Sequence, residues 1–268
     1  MAKNLGMENT SPSGEEISAS KSIVKALSIL DLFAEKDELG VLEIGERTGL
    51  PASTVQRIVN SLVSKQYLSQ NTANLKYRLG LAFFKIISRY SQKQQWVDVA
   101  VPMLEQLAGT YQETVNLGVL RGESIVLLAK VDSPFILRPN FNIGIAYEAA
   151  NSSLWRCLCA YLPADAAESL ITGVKPTTPR SITDPAGFRK LFETVRAQGY
   201  AIEDEEFQVG LFCIAAPIKD GDDNVIAAIS LSIPKTRLDI ARVPEIIQSV
   251  CSAAESITTA LSSNPMLS

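Results

Sequence analysis

Five hydrogen-bonding side chains, Ser53, Thr54, Gln56, Arg57 and Asn60, stand within one short stretch that contains no acid. Interleaved with them, Val55, Ile58, Val59, Leu62 and Val63 recur at the i, i+3, i+4, i+7, i+8 spacing of a single apolar helix stripe. The helix this predicts has one face for a core and one for a partner. Amides and a guanidinium without neighbouring carboxylates can approach a polyanion and read base edges in a DNA major groove. Arg57 and Gln56 are expected to read bases, Ser53 and Thr54 to contact phosphates, and Asn60 to share their face.

Such a helix needs a scaffold. Gly49 stands where a preceding helix must end, and glycine tolerates the left-handed conformation of a C-cap. Pro51 follows where its fixed φ suits the first turn of the next helix. Leu42, Ile44 and Leu50 are expected to pack the first helix on the second. Ile23, Leu27, Ile29, Leu30 and Phe33 predict an amphipathic helix from about residue 20 to 36. Downstream, Tyr67 to Ser69 and Tyr77 to Leu79 read as two strands around a turn at 71–74. A hairpin directly after a recognition helix is a wing, and its tip, with Asn74 and Lys76, is placed to reach the DNA backbone or the minor groove.

A second set of chemistry-bearing residues lies late in the chain. Ser230 and Ser232 sit at i and i+2 of an otherwise apolar run, so they share one face of a strand. Cys213 opens another predicted strand and Glu203 ends a third. Hydroxyls, a thiol and strand amides can hold a carboxylate or a carbonyl. The same residues also fit a plain core, or a cysteine nucleophile with a carboxylate partner.

The chain has 268 residues and no histidine, which removes Ser-His-Asp and Cys-His catalysis and every histidine-containing zinc site. Its cysteines, at 157, 159, 213 and 251, form no close C-x₂-C pair, so no cofactor or metal is expected. The net charge of −4 hides an asymmetry: residues 21–90 hold ten basic against six acidic side chains, and residues 91–268 hold fourteen against twenty. A basic first module beside an acidic second one fits DNA binding at one end. No run is long enough to cross a bilayer, so a cytoplasmic protein with reduced thiols is expected. Residues 1–19 are polar and read as a disordered tail.

The run from Ser22 to Gly80 resembles the DNA-binding domain of the isocitrate lyase regulator (IclR) family of bacterial transcription factors. The likeness extends from about Ser20 to Leu261. Its later landmarks are Thr114 to Leu117, Leu154 to Pro163, Arg196 to Cys213 and Ala227 to Pro234. It implies an α+β protein: a winged helix-turn-helix domain over 20–80, a linker helix over 81–97, a GAF-like effector-binding domain over 98–262 and a short tail over 263–268. It also implies double-stranded operator DNA, a small-molecule effector and a second copy as partners, in a homodimer or a dimer of dimers. Repressor is the commoner role in the family.

Within the second domain, strands are predicted at 114–120, 124–131, 136–141, 200–203, 212–218 and 225–233. Helices are predicted at 98–111, 152–161, 164–172, 185–198 and 242–261. Interspersed hairpins suggest an antiparallel sheet. The resemblance places Glu203, Cys213, Ser230 and Ser232 in the effector pocket. The chain departs from the family pattern at Ala150, where a histidine is usual, at Trp155-Arg156, where Gly-Lys is usual, and at Phe212, where an arginine is frequent. A smaller, more aromatic pocket follows, with Phe141, Tyr147, Trp155 and Phe212 as candidate walls and Trp155 alternatively a subunit anchor. The expected function is a ligand-responsive repressor of a catabolic operon, released by a small organic acid, oxo-acid or semialdehyde. Two rivals are a cysteine-dependent enzyme and a sensor or interaction module without DNA binding.

Overall fold

The computed structural model describes residues 20–92 and 95–263. The predicted tails, 1–19 and all but the first residue of 263–268, lie outside the described residues. The chain divides after Gln92 into two compact units.

The first unit is built on α1 (Lys21–Asp31), α2 (Val41–Thr48) and α3 (Ala52–Ser64), followed by β1 (Leu68–Gln70), β2 (Tyr77–Leu79) and α4 (Ala82–Gln92). Gly49 adopts φ +69 and closes α2 as its spacing predicts, while Pro51 forms the N-cap of α3. The core gathers Ile29, Phe33, Leu39, Ile44, Val55, Val59, Leu68 and Tyr77, with Leu50, Ile58 and Leu62 packed against it. Leu42 is the exception among the predicted anchors of α2. It is 74% exposed, because the partners at i+2 and i+8, Ile44 and Leu50, already define the buried face. The strands β1 and β2 pair antiparallel as the wing, and Leu39 bridges to Tyr77 on its other side.

Within the stretch 81–97, read as one linker helix, α4 ends at Gln92 and the next helix begins at Gln95, and the apolar residues of α4 are divided. Phe83 packs edge-on against Tyr67 with ring centroids 5.4 Å apart, whereas Phe84 and Ile87 are exposed. The side chain of Tyr90 lies outside the described residues.

The second unit has six antiparallel strands in the order β5-β4-β3-β8-β7-β6. They are β3 (Thr114–Arg121), β4 (Ser124–Val131), β5 (Ala146–Tyr147), β6 (Ala201–Asp204), β7 (Leu211–Lys219) and β8 (Val225–Pro234). On one face lie α5 (Gln95–Tyr111) and α9 (Val243–Ser262), whose Leu104, Val250 and Ile257 meet Val115, Ile214 and Ile229 of the sheet. On the other face lie α6 (Ser153–Cys159), α7 (Ala164–Ile171) and α8 (Pro185–Gln198), packed through Leu154, Ile171 and Phe188. Away from the register shifts at Leu117/Gly118 and Ile218/Lys219, alternation along the strands sends neighbouring residues to opposite layers. Gly118 permits α6 to approach, since a Cβ there would meet Leu154 Cδ1 at 3.0 Å.

One predicted strand is absent. Residues 136–141 form no strand, and the chain there crosses as a loop before the two-residue β5. Ile136 is wholly exposed and Leu137 largely so, so the apolar content of this stretch does not report burial in the sheet. Pro139 also denies it a ladder donor.

Candidate functional site

On α3 the apolar stripe is buried and the polar face is open. Ser53, Arg57 and Asn60 are exposed, and Thr54 and Gln56 are half-buried at its rims. The Gln56 amide is already engaged: Nε2 donates to Asn60 Oδ1 at 2.8 Å and to the Tyr77 hydroxyl at 3.0 Å. The face thus presents Arg57 as its long charged group, with Gln56 and Asn60 oriented as a pair against the wing. Lys25 and Lys65 join Arg57 along a groove between α1 and α3, extending the positive surface. Neither lysine was singled out by the sequence, because α1 carries no DNA-reading pattern of its own.

The wing is fixed from behind. Glu38 accepts from Asn71 Nδ2 at 2.8 Å and from Asn74 Nδ2 at 2.7 Å, and these bonds hold its carboxyl below the usual carboxylate range. Asn74 also caps the turn by accepting from Lys76 N at 2.9 Å. The structure therefore gives the Asn74 amide to Glu38 and leaves Lys76 exposed at the tip.

In the second unit a cavity of about 40 Å³ opens on the α6 side of the sheet. Of the sequence candidates, Phe141, Tyr147, Cys213, Ser230 and Ser232 line it. Phe141 and Tyr147 meet edge to face at 5.4 Å, and Phe207, unforeseen in the sequence, closes the wall 6.2 Å from Phe141.

Three candidates stand elsewhere. Phe212 points to the opposite layer, among the residues under α5 and α9. Strand alternation requires this once Cys213 faces the cavity, since neighbours in a strand cannot share a face. Trp155 is 1% exposed and packs on Phe188 and Phe192 at 5.4 and 5.9 Å, inside the core between α6 and α8. It is neither a cavity wall nor a surface anchor, because α6 is buried along its whole length. Glu203 is fully buried and sits opposite Cys213 in the register of β6 and β7. It supports the cavity from behind: Oε1 accepts from Phe207 N at 3.1 Å and so positions that aromatic wall.

Burial pushes the Glu203 carboxyl up to about 7. Burial, with the Glu203 charge second, raises the Cys213 thiol well above its usual range, and Cys213 Sγ donates to Ser232 Oγ at 3.3 Å. A thiol held protonated is a poor nucleophile.

Asp204, Glu205 and Glu206 are each paired with a cation. Arg180 binds Asp204 and Glu205 at 3.0 and 3.2 Å, Lys235 binds Asp204 at 2.5 Å, and Arg156 binds Glu206 at 3.2 Å. Thr178, Ser181 and Thr177 donate to the carbonyls of Glu205, Glu206 and Phe207 at 2.7, 2.6 and 2.8 Å. This latch keeps Phe207 over the cavity. Arg156, the departure that replaces a lysine, is 1% exposed and also donates to Ile202 O and Asn151 Oδ1.

Asn116 is a polar cavity residue that was not among the sequence candidates. It lies in β3 opposite Ser230, and Nδ2 approaches Ser230 Oγ and Ser232 Oγ, each at 3.4 Å. A lone amide in an apolar strand, in phase with Thr114 and Gly118, was the available signal. Among the described residues, no group of three or more His, Cys, Asp or Glu is arranged to hold a metal. No helix among them is long and apolar enough to cross a membrane.

Comparison with known proteins covers both units. Residues 22–72 match the family described as the IclR helix-turn-helix domain, and residues 88–259 match the family described as Bacterial transcriptional regulator IclR C-terminal. The chain is 31% identical over 239 residues to the HTH-type transcriptional regulator KdgR of Escherichia coli (strain K12), covering 88% of this chain and 91% of that one. It is 30% identical over 261 residues to the HTH-type transcriptional repressor AllR of Klebsiella pneumoniae, covering 95% and 96%. Its fold matches that of an IclR homologue from Microbacterium hydrocarbonoxydans crystallised with 4-hydroxybenzoate, with TM-score 0.79, 23% identity, and coverage of 91% and 100%. The chain belongs to the IclR family and is a DNA-binding transcriptional regulator, not an enzyme.

Proposed function

We propose that this chain represses a catabolic operon from a roughly two-fold operator and is released when a small organic acid, oxo-acid or semialdehyde enters the cavity of the second unit. The observation that carries this reading is the cavity itself. Apolar and aromatic walls enclose a floor of Asn116, Cys213, Ser230 and Ser232, which is the composition of a small-molecule site. The repressor AllR and the 4-hydroxybenzoate-bound homologue support a ligand-controlled repressor by likeness. On the DNA side, Arg57, Gln56 and Asn60 read bases while Ser53, Thr54 and Lys76 hold phosphates.

A two-fold operator implies at least a dimer. Ile23 and Leu27 of α1 and Phe84 and Ile87 of α4 are exposed apolar residues that a second copy would bury. The dimer, or a dimer of dimers, acts in the cytoplasm. The effector acts by binding one arrangement of the two recognition helices more tightly than the other, and it shifts the equilibrium by that difference alone.

The test is a mobility-shift titration on DNA upstream of the chain's own gene and its neighbours. Specific retardation that weakens steeply with salt is expected, followed by release with small carboxylic acids. Retardation equal to that of random DNA on every fragment sinks autoregulation of a local operon. Retardation indifferent to every acid sinks the effector reading.

A further inference from the structure

We propose that Asn116 selects the effector by accepting a hydrogen bond from a hydroxyl on it, so that the preferred ligand is a compact 2-hydroxy acid rather than the 2-oxo acid of the same skeleton. The inference rests on the effector reading above.

Asn116 is 2% exposed and lines the cavity from the central strand β3. Its Nδ2 is shared by Ser230 Oγ and Ser232 Oγ, while its Oδ1 has no hydrogen-bond partner among the described residues. Buried carbonyls are almost always paired, so an acceptor that the protein leaves unpaired in a cavity-lining residue is a group that a bound donor would satisfy. A hydroxyl supplies that donor. A 2-oxo acid carries only acceptors in its ionised form and would set a carbonyl oxygen against Oδ1.

The rest of the floor fits the carboxylate of such a ligand. With the amide donating through Nδ2, both serines accept from Asn116 and keep their own O–H groups to donate. The reverse amide orientation would consume the serine protons and leave the carboxylate without them. None of the residues lining the cavity is a lysine or arginine. The buried Arg156 does not line the cavity, and its two Nη atoms are taken by Glu206, Ile202 O and Asn151. A ligand with several negative charges would find no counter-charge, whereas one carboxylate can be held by hydroxyls. A cavity of about 40 Å³ admits only a few heavy atoms while Phe141, Tyr147 and Phe207 remain in place.

Calorimetric titration of the full chain with lactate against pyruvate, and glycolate against glyoxylate, tests this directly. The hydroxy acid is expected to bind at least tenfold tighter in each pair that binds. Asn116→Leu, which keeps the branched heavy-atom shape and removes the amide, is expected to bring the pair within about threefold. Equal affinities, a tighter oxo acid, or a preference that survives Asn116→Leu overturns the role of Asn116 and leaves the effector reading standing. No binding of any of the four, with no effect of any on operator retardation, overturns both.

Melting of the ligand-free variant separates a site residue from a structural one. Asn116→Leu loses two long hydrogen bonds and an unpaired carbonyl, so its Tm is expected within about 3 °C of the parent. A fall of about 10 °C or more, or failure to fold, assigns Asn116 to the core and overturns the proposal.

Discussion

The polar face of α3 and the buried polar groups in and around the second unit's cavity are the same kinds of side chain, hydroxyls, amides and a guanidinium, in opposite surroundings. Ser53, Arg57 and Asn60 stand in solvent on a helix whose packing is complete without them. Asn116, Glu203, Ser230, Ser232 and Arg156 are buried within the sheet and helices of the second unit. A polar group in water costs the fold little and is free to serve a partner, whereas a buried one must be satisfied by the protein or its ligand. Substitutions on the helix should therefore change function without stability. Those around the cavity should change both, unless the residue is one that the protein itself leaves unpaired.

The sharpest break in this comparison is expected at Arg156. It carries a buried charge tied to Glu206 at 3.2 Å and to two further acceptors. Arg156→Ala leaves that carboxylate without its partner, opens space beside Trp155 and unfastens the latch over Phe207. A loss of about 3–5 kcal/mol in denaturant-unfolding free energy is expected. A loss below 1 kcal/mol would show that the buried pair does not support the second unit.

Glu203 gives the next effect, and it depends on pH. Its folded value of about 7 lies above its ordinary 4.5, so between these values the native state holds the proton more tightly than the unfolded chain. The carboxyl therefore favours folding at low pH, and stability declines as pH rises through this window, with the full loss reached above about 7. Glu203→Gln keeps an oxygen for Phe207 N and removes the ionisation. It is expected to flatten the decline and to exceed the parent at pH 8 by an amount of the order of 3 kcal/mol. A parent curve that is flat between pH 5 and 8 would refute this.

Arg57 is the contrasting case. Arg57→Ala is expected to weaken operator binding by about 1–3 kcal/mol and to leave Tm unchanged. Measured on operator variants, the loss should concentrate at one base position. A loss uniform across all sequences would make Arg57 a phosphate contact rather than a reader.

The same contrast explains how much was legible beforehand. The recognition helix was readable because solvent and core alternate along it with a helical period, so Val55 and Val59 announce their burial and Arg57 its exposure. The strands β3, β4, β7 and β8 were readable as short apolar runs bounded by turn residues. Within the second unit, however, both sheet faces are covered, so hydropathy no longer tells the cavity layer from the opposite one. Phe212 was placed on the wrong side for that reason, although its adjacency to Cys213 contained the correction. Trp155 looked like a wall because its size says only that it is buried. The apolar loop at 135–145 imitated a strand. Least legible were bonds made across long sequence separations, such as Glu38 to the wing asparagines and Thr178 to the carbonyl of Glu205. No local pattern encodes them.

The smallest expected effect lies where the two regimes meet. Tyr77 is buried in the core of the first unit, yet its hydroxyl accepts from Gln56 Nε2 at 3.0 Å at the rim of the polar face of α3. Tyr77→Phe removes that acceptor without emptying the core, so a stability change of no more than about 1 kcal/mol is expected. Gln56 keeps Asn60 Oδ1 at 2.8 Å and gains freedom toward the groove. Operator affinity should change by less than about threefold, while discrimination at the base facing Gln56 weakens, because a side chain held by two bonds is better oriented than one held by one. Selection from a randomised operator library would show this as relaxed preference at a single position. An unchanged preference would mean that Gln56 is spent on the fold and that Arg57 and Asn60 alone discriminate.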